Sequence, residues 1–106
     1  MVGGMVKMNP TPKPKRYKSK KYRDFVSHKP CLITGKTPCD FHHEQEDGHG
    51  SMGGKCGDER GLPYAREIHQ ERHQIGKKSF YKKYHWINPE REMIKLLTEY
   101  IIQNGE

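Results

Sequence analysis

The sequence predicts a small α+β domain, two short strands with flanking helices, preceded by a disordered basic arm. Three observations carry that prediction. "GLPYA" followed by "REIHQERHQI" reads as a strand running into a helix that bears His69 and His73, four residues apart. Upstream, "CDFHHE" is a short extended run containing the adjacent histidines His42 and His43. The positive charge is gathered at the front: residues 1–23 hold eight Lys and Arg and no acid, while the rest hold twelve basic and thirteen acidic side chains.

The elements follow in order. Residues 1–18 combine Gly, alternating Pro and Lys, and few core-forming side chains, so they read as a disordered or polyproline-like arm, with the domain over 19–106. Ser19 is a helix N-cap, Tyr22, Phe25 and Val26 share one helical face, and Pro30 stops the helix. "PCLITGKTPCDFHHE" reads as two extended pieces about a Gly-Lys-Thr-Pro turn. Residues 44–61 contain six glycines and no periodicity, a long loop of the kind that is usually functional. The histidine-bearing helix closes at Gly76, and "SFYKKYHW" adds a short helical piece. In the last helix Asn88 is the N-cap, Pro89 takes the first position and Gly105 terminates. Its apolar stripe is Met93, Ile94, Leu97, Tyr100 and Ile101, all core.

Composition narrows the function. Of 106 residues, 31% are hydrophobic, so the core is small and a metal is a natural support. No apolar run approaches the roughly 18–20 residues of a membrane span. The first ten residues lack the h-region and cleavage site of a secretory signal. Three cysteines are an odd number, which argues against a closed disulfide framework and for a reducing cytoplasm. A net charge of +7 concentrated in the arm favours nucleic acid as partner, through release of counterions from phosphates. Within the arm and its junction the candidate contacts are Lys13, Lys15, Arg16, Lys18, Lys20 and Lys21.

The histidines carry the chemistry. His69 and His73 lie on one helical face and can share a metal. The adjacent pair 26 residues upstream would send one imidazole to that metal and leave the other free, because strand side chains alternate. Strand, long loop, strand and helix is the order of a ββα-metal finger. A metalloprotease would need His-Glu-x-x-His, but Gln70 follows His69. A Cys2His2 finger needs cysteines two to four apart, whereas Cys31 and Cys39 are eight apart.

"FHHE", "GSMGGKCGD", "GLPYAREIHQERH" and "FYKKYHWINPE" together resemble the HNH (His-Me finger) endonucleases of prophages, over roughly residues 19–101. The recombination-enhancement type, which depends on RecA and has a basic amino-terminal arm, is the nearest in character. The resemblance implies that His42, His69 and His73 are the metal ligands and His43 the general base. It also implies hydrolysis of DNA phosphodiesters, low sequence specificity, single- or double-stranded DNA as substrate, a RecA-type filament as partner and the host cytoplasm as setting. The metal would be Zn, Mg or Mn, with Ni active in vitro; three imidazoles suit Zn, Ni or Mn better than Mg. Lys55 in the loop is a candidate phosphate contact.

Two features depart from the family pattern. HNH proteins often carry Asn nine residues before the first helical ligand, where this chain has Arg60; Asp58, close by, is the candidate to orient an imidazole. Relatives tend to have Cys-x-x-Cys before the histidine pair, where this chain reads Cys31-Leu-Ile-Thr34. Cys31, Cys39 and Cys56 are candidate ligands of a second, structural zinc, with buried free thiols as the alternative. The rival to the enzyme is a metal-stabilised nucleic-acid-binding module that does not cut, which has no need of His43.

Overall fold

The computed structural model describes residues 16–45 and 56–105. Helix α1 spans Lys20–Ser27, strand β1 Asp40–His43, strand β2 Gly61–Tyr64, helix α2 Arg66–Lys83 and helix α3 Pro89–Asn104. A single 3-10 turn, Asp58–Arg60, leads into β2. The strands form a two-stranded antiparallel sheet in the register Asp40↔Tyr64, Phe41↔Pro63, His42↔Leu62 and His43↔Gly61.

Helices α1 and α3 start where a capping side chain accepts from a free amide of the first turn, whereas α2 begins after Ala65 without such a cap. Ser19 Oγ accepts from the Tyr22 amide at 3.0 Å, and Asn88 Oδ1 accepts from the Arg91 amide at 3.1 Å. Helix α1 stops at Ser27, three residues before Pro30, and α3 ends on Gly105 at φ +74°. In α2 the backbone leaves helical geometry at Gly76, with φ +86° and ψ +163°, and the helix resumes beyond it. The expected end of the histidine helix and the expected short helix after it are thus two arms of one interrupted element. Only glycine occupies that backbone region without strain.

The core gathers Tyr22 and Val26 of α1, Leu62 and Tyr64 of β2, Ile68 and Phe80 of α2, and Met93 and Leu96 of α3. Aromatic edges knit α1 to α3: the Tyr100 ring lies 4.9 Å from Tyr22 and 5.2 Å from Phe25. Arg60 fastens the other end of α3, pairing with both carboxylate oxygens of Glu90 at 3.1 and 2.6 Å while donating to the Glu44 carbonyl at 2.6 Å.

Two expectations need correction. The stripe of α3 is Met93, Leu96, Leu97 and Tyr100, the i, i+3, i+4, i+7 set; Ile94 and Ile101 sit about 100° around the axis and are 66% and 43% exposed. Residues 31–38 do not form a strand. They close into turns, with the Gly35 amide on the Cys31 carbonyl and the Cys31 amide on the Lys36 carbonyl, both at 2.9 Å. The Leu32 amide bonds outward to the Pro63 carbonyl at 3.2 Å, which holds this turn against β2.

The Phe41 ring lies over Gly61, so closely that a Cβ added there would stand 2.1 Å from ring carbons. The same ring meets His43 edge-on, with centroids 4.9 Å apart. Gly61→Ala should therefore destabilise the fold by about 1–3 kcal/mol, as overpacking commonly does. A thermal melt checks it; an unchanged midpoint would show that the strands part at no cost.

Candidate metal centre and its neighbouring imidazole

Alternation along β1 decides what each histidine meets. His42 turns inward toward α2 and is 3% exposed, whereas the His43 side chain is 41% exposed on the opposite face. Helix α2 brings His69 and His73 up on successive turns of its first arm, with ring centroids 5.0 and 5.4 Å from the His42 ring. One ring nitrogen from each of the three lies within 4.8 Å of the others. The Nε2 atoms of His69 and His73 face each other at 3.1 Å. His42 Nε2 is buried without a hydrogen-bond partner; Glu44 Oε1 stands 3.4 Å away but not in bonding geometry.

At His42 and His73 the surroundings favour the neutral ring, the form that binds metal. Burial lowers the pKa of His42 despite Glu44 beside it, and burial followed by the neighbouring His69 lowers that of His73. His69 Nδ1 meets Asp40 Oδ2 at 3.0 Å.

Glu44 anchors the arrangement. It is 1% exposed and takes a two-pronged contact from Arg72, at 3.0 Å to Oε2 and 2.5 Å to Oε1, plus the Tyr81 hydroxyl at 2.5 Å. Tyr81 also meets the Tyr64 hydroxyl at 2.6 Å. Burial pushes the Glu44 pKa up, but the adjacent His42 ring and the bonds from Arg72 and Tyr81 outweigh it and hold the pKa at about 2. The carboxylate thus ties the end of β1 to both arms of α2, across Gly76.

On the outer face, His43 Nε2 lies 2.9 Å from Asp58 Oδ1. Asp58 is itself held by the Ser19 amide and Arg23 Nη1, each 2.8 Å from Oδ2, and its own amide donates to the Tyr17 carbonyl at 2.8 Å. Burial opposes its ionisation, yet the Ser19 amide, His43 and Arg23 together lower its pKa below the usual aspartate value. The orienting role expected of Asp58 therefore has its geometry. Tyr17, within the expected arm, is already fastened to the domain.

Cys31 and Cys39 are neighbours in the core, but the three cysteines do not converge. Cys31 Sγ accepts from the Ile33 and Thr34 amides at 3.4 Å each, and the Cys39 thiol donates to the Lys36 carbonyl at 3.3 Å. Burial, then the charge of Cys31, raises the Cys39 pKa to about 11. Cys39 precedes β1 beside the Tyr64 end of β2, whereas Cys56 leads toward the Gly61 end, so the antiparallel register holds them at opposite ends of the sheet. Among the described residues the histidine trio is the one group of three or more metal-ligating side chains that converges, and Cys31, Cys39 and Cys56 form no such group.

Arg16, Lys18, Lys20 and Lys21 are exposed around the start of α1, with Lys20 paired to Asp24 at 2.9 Å. Lys13, Lys15 and Lys55 lie outside the described residues. Arg60 is structural, bonded to the Glu44 carbonyl and to Glu90. Asp40, Glu44 and Arg72 were not foreseen. The signal was present in Asp40-x-His42-x-Glu44, since a period of two puts all three side chains on the face that meets α2.

A small α+β domain with a two-stranded sheet, three helices and a convergent histidine trio is the class defined by these observations. Residues 5–96 match the family described as "Protein of unknown function (DUF968)", and the chain belongs to that family. It is also 39% identical over 62 residues to "Uncharacterized protein YdfU" of Escherichia coli (strain K12), a match covering 58% of this chain and 18% of that protein. No solved structure matches. Among the described residues, no helix is long and apolar enough to cross a membrane.

The Glu44 pair sets a pH limit on stability. A folded pKa near about 2, against about 4.3 for an unfolded glutamate, means stabilisation present above about pH 4.3 and lost as pH falls toward 2. Urea midpoints of the parent should fall over that window, and those of Glu44→Gln should fall less. Glu44→Ala should cost about 3–5 kcal/mol at neutral pH by stranding Arg72. Parallel acid profiles for the parent and Glu44→Gln would contradict the assignment.

Proposed function

We propose that this protein is a metal-dependent DNA endonuclease of the ββα-metal (His-Me finger) type. The observation that carries the reading is the division of two adjacent histidines between a nitrogen cluster and a carboxylate. The residues present fit a divalent cation: three imidazoles converge, burial favours the neutral ring at His42 and His73, and His42 Nε2 is a buried polar atom without a partner. His42, His69 and His73 would hold the ion, with Zn, Mn or Mg as the candidates. A cation bound there supplies positive charge for the scissile phosphate and for the leaving oxygen.

The remaining work falls to the chain. Asp58 is an acceptor when ionised, so it holds the proton of His43 on Nε2 and leaves the lone pair on Nδ1. A half-exposed imidazole in that tautomer can take a proton from water, as a general base requires. Arg23 and the Ser19 amide keep Asp58 ionised and in place. The base therefore does not share its lone pair with a cation. The exposed cations at the start of α1 lie in the same segment that grips Asp58, which favours DNA reaching the His43 face from that side. A nucleic-acid-binding module that does not cut has no use for an imidazole held by a carboxylate.

Nicking of supercoiled plasmid and of single-stranded circles, with Mg, Mn, Ni and Zn titrated separately, tests the reading. His43→Ala should lose activity by at least about 100-fold, the lower range for a general base, while DNA affinity is retained. A variant that cuts like the parent would overturn the role of His43, and a parent that binds DNA without cutting under any metal would favour the module. Removing residues 1–15, and with them Lys7, Lys13 and Lys15, should weaken DNA binding and reduce the slope of log affinity against log salt by up to about 3. The domain should melt unchanged, because Tyr17 remains. An unaltered slope would reduce that segment to a solubility tail.

A further inference from the structure

We infer that Asp40 is a positioning residue that selects the tautomer of His69 and so aims its Nε2 lone pair into the histidine cluster. The inference deepens the metal-site reading and rests on it. Asp40 opens β1 two residues before His42, so both side chains stand on the face that meets α2. Its two oxygens are taken by residues three apart in the first turn of α2: Oδ2 by His69 Nδ1 at 3.0 Å, and Oδ1 by Arg66 Nη2 at 3.3 Å. A carboxylate can only accept, so the proton of a neutral His69 resides on Nδ1 and the lone pair on Nε2. Nε2 is the atom that faces His73 Nε2 at 3.1 Å.

The consequence is specific. In a free histidine the neutral ring prefers its proton on Nε2, the reverse of what this site needs. Asp40 inverts that preference and restrains rotation of the ring. Arg66, in turn, holds the carboxylate toward α2. Carboxylates placed behind metal-ligating imidazoles raise their basicity, and losing one commonly costs 10- to 100-fold in metal affinity. Asp58 does the equivalent for His43 on the opposite face of the strand, but there the freed lone pair is Nδ1. Two aspartates therefore give two imidazoles opposite tautomers, one directed at the nitrogen cluster and one left for a proton.

The test compares the full chain with Asp40→Asn and Asp40→Ala. Nitrogen-15 shifts of His69 in the metal-free protein report the tautomer directly, and Zn2+ affinity is read by competition with a chelator. The parent should show the Nδ1–H form. Asp40→Ala should shift His69 toward the Nε2–H form and weaken Zn2+ binding by about 10- to 100-fold. Asp40→Asn, whose amide oxygen still accepts from Nδ1–H, should keep the tautomer and most of the affinity, a rescue that simple loosening of the strand would not give. A parent in the Nε2–H form, an Ala variant indistinguishable from the parent, or an Asn variant as damaged as the Ala variant would each overturn the inference. Neither readout involves cleavage, so a protein that passes both and cuts no DNA would sink the nuclease reading alone.

Discussion

Everything in the candidate site depends on the two-residue period of one four-residue strand. Antiparallel pairing with β2 fixes which face of β1 is inward, and a slip of one residue would exchange the environments of His42 and His43. In the observed register His42 is buried against α2 and His43 meets Asp58 in the open. The strand contributes acids on the same schedule, Asp40 and Glu44 on the His42 face. Phe41 shares the outer face with His43 and closes over Gly61.

So short a ribbon is not stable by itself, since two strands of this length bury little apolar surface. It is held from three sides. Tyr22 and Val26 of α1 and Met93 and Leu96 of α3 contribute the apolar core beside it. Arg60 clamps the His43 end to α3 through Glu90. The buried Glu44 carboxylate, satisfied by Arg72 and Tyr81, locks the strand to α2 on both sides of the Gly76 break. A buried ion pair is seldom a large net source of stability, but breaking one is expensive, which makes it suited to fixing geometry. The Glu44 pair therefore positions the histidines more than it strengthens the fold.

Much of this was legible in the sequence because the signals are local. The caps at Ser19 and Asn88, the end of α3 at Gly105 and the interruption at Gly76 each follow from backbone chemistry within a turn. The trio was legible because spacing of four on a helix and adjacency on a strand are strict geometric statements. The Cys31 turn was not, since the bond that holds it against β2 runs from the Leu32 amide to Pro63, beyond any local pattern. The α3 stripe was misread in part, with Ile94 and Ile101 included and Leu96 left out, because seven apolar residues on a 16-residue helix admit more than one face until α1 and β2 choose it. Asp40, Glu44 and Arg72 escaped notice for another reason: charged residues are common, and their partners lie 26 to 37 positions away in the chain.

The account turns on adjacent histidines having separate duties, and Zn2+ stoichiometry by equilibrium dialysis of His42→Ala beside His43→Ala addresses that most directly. Both variants replace an imidazole by a methyl group one residue apart on the same strand. One ion should remain per chain of His43→Ala, and His42→Ala should retain none at the same free Zn2+. Equal retention by the two variants, or loss of the ion from His43→Ala alone, would contradict the division on which the site is built.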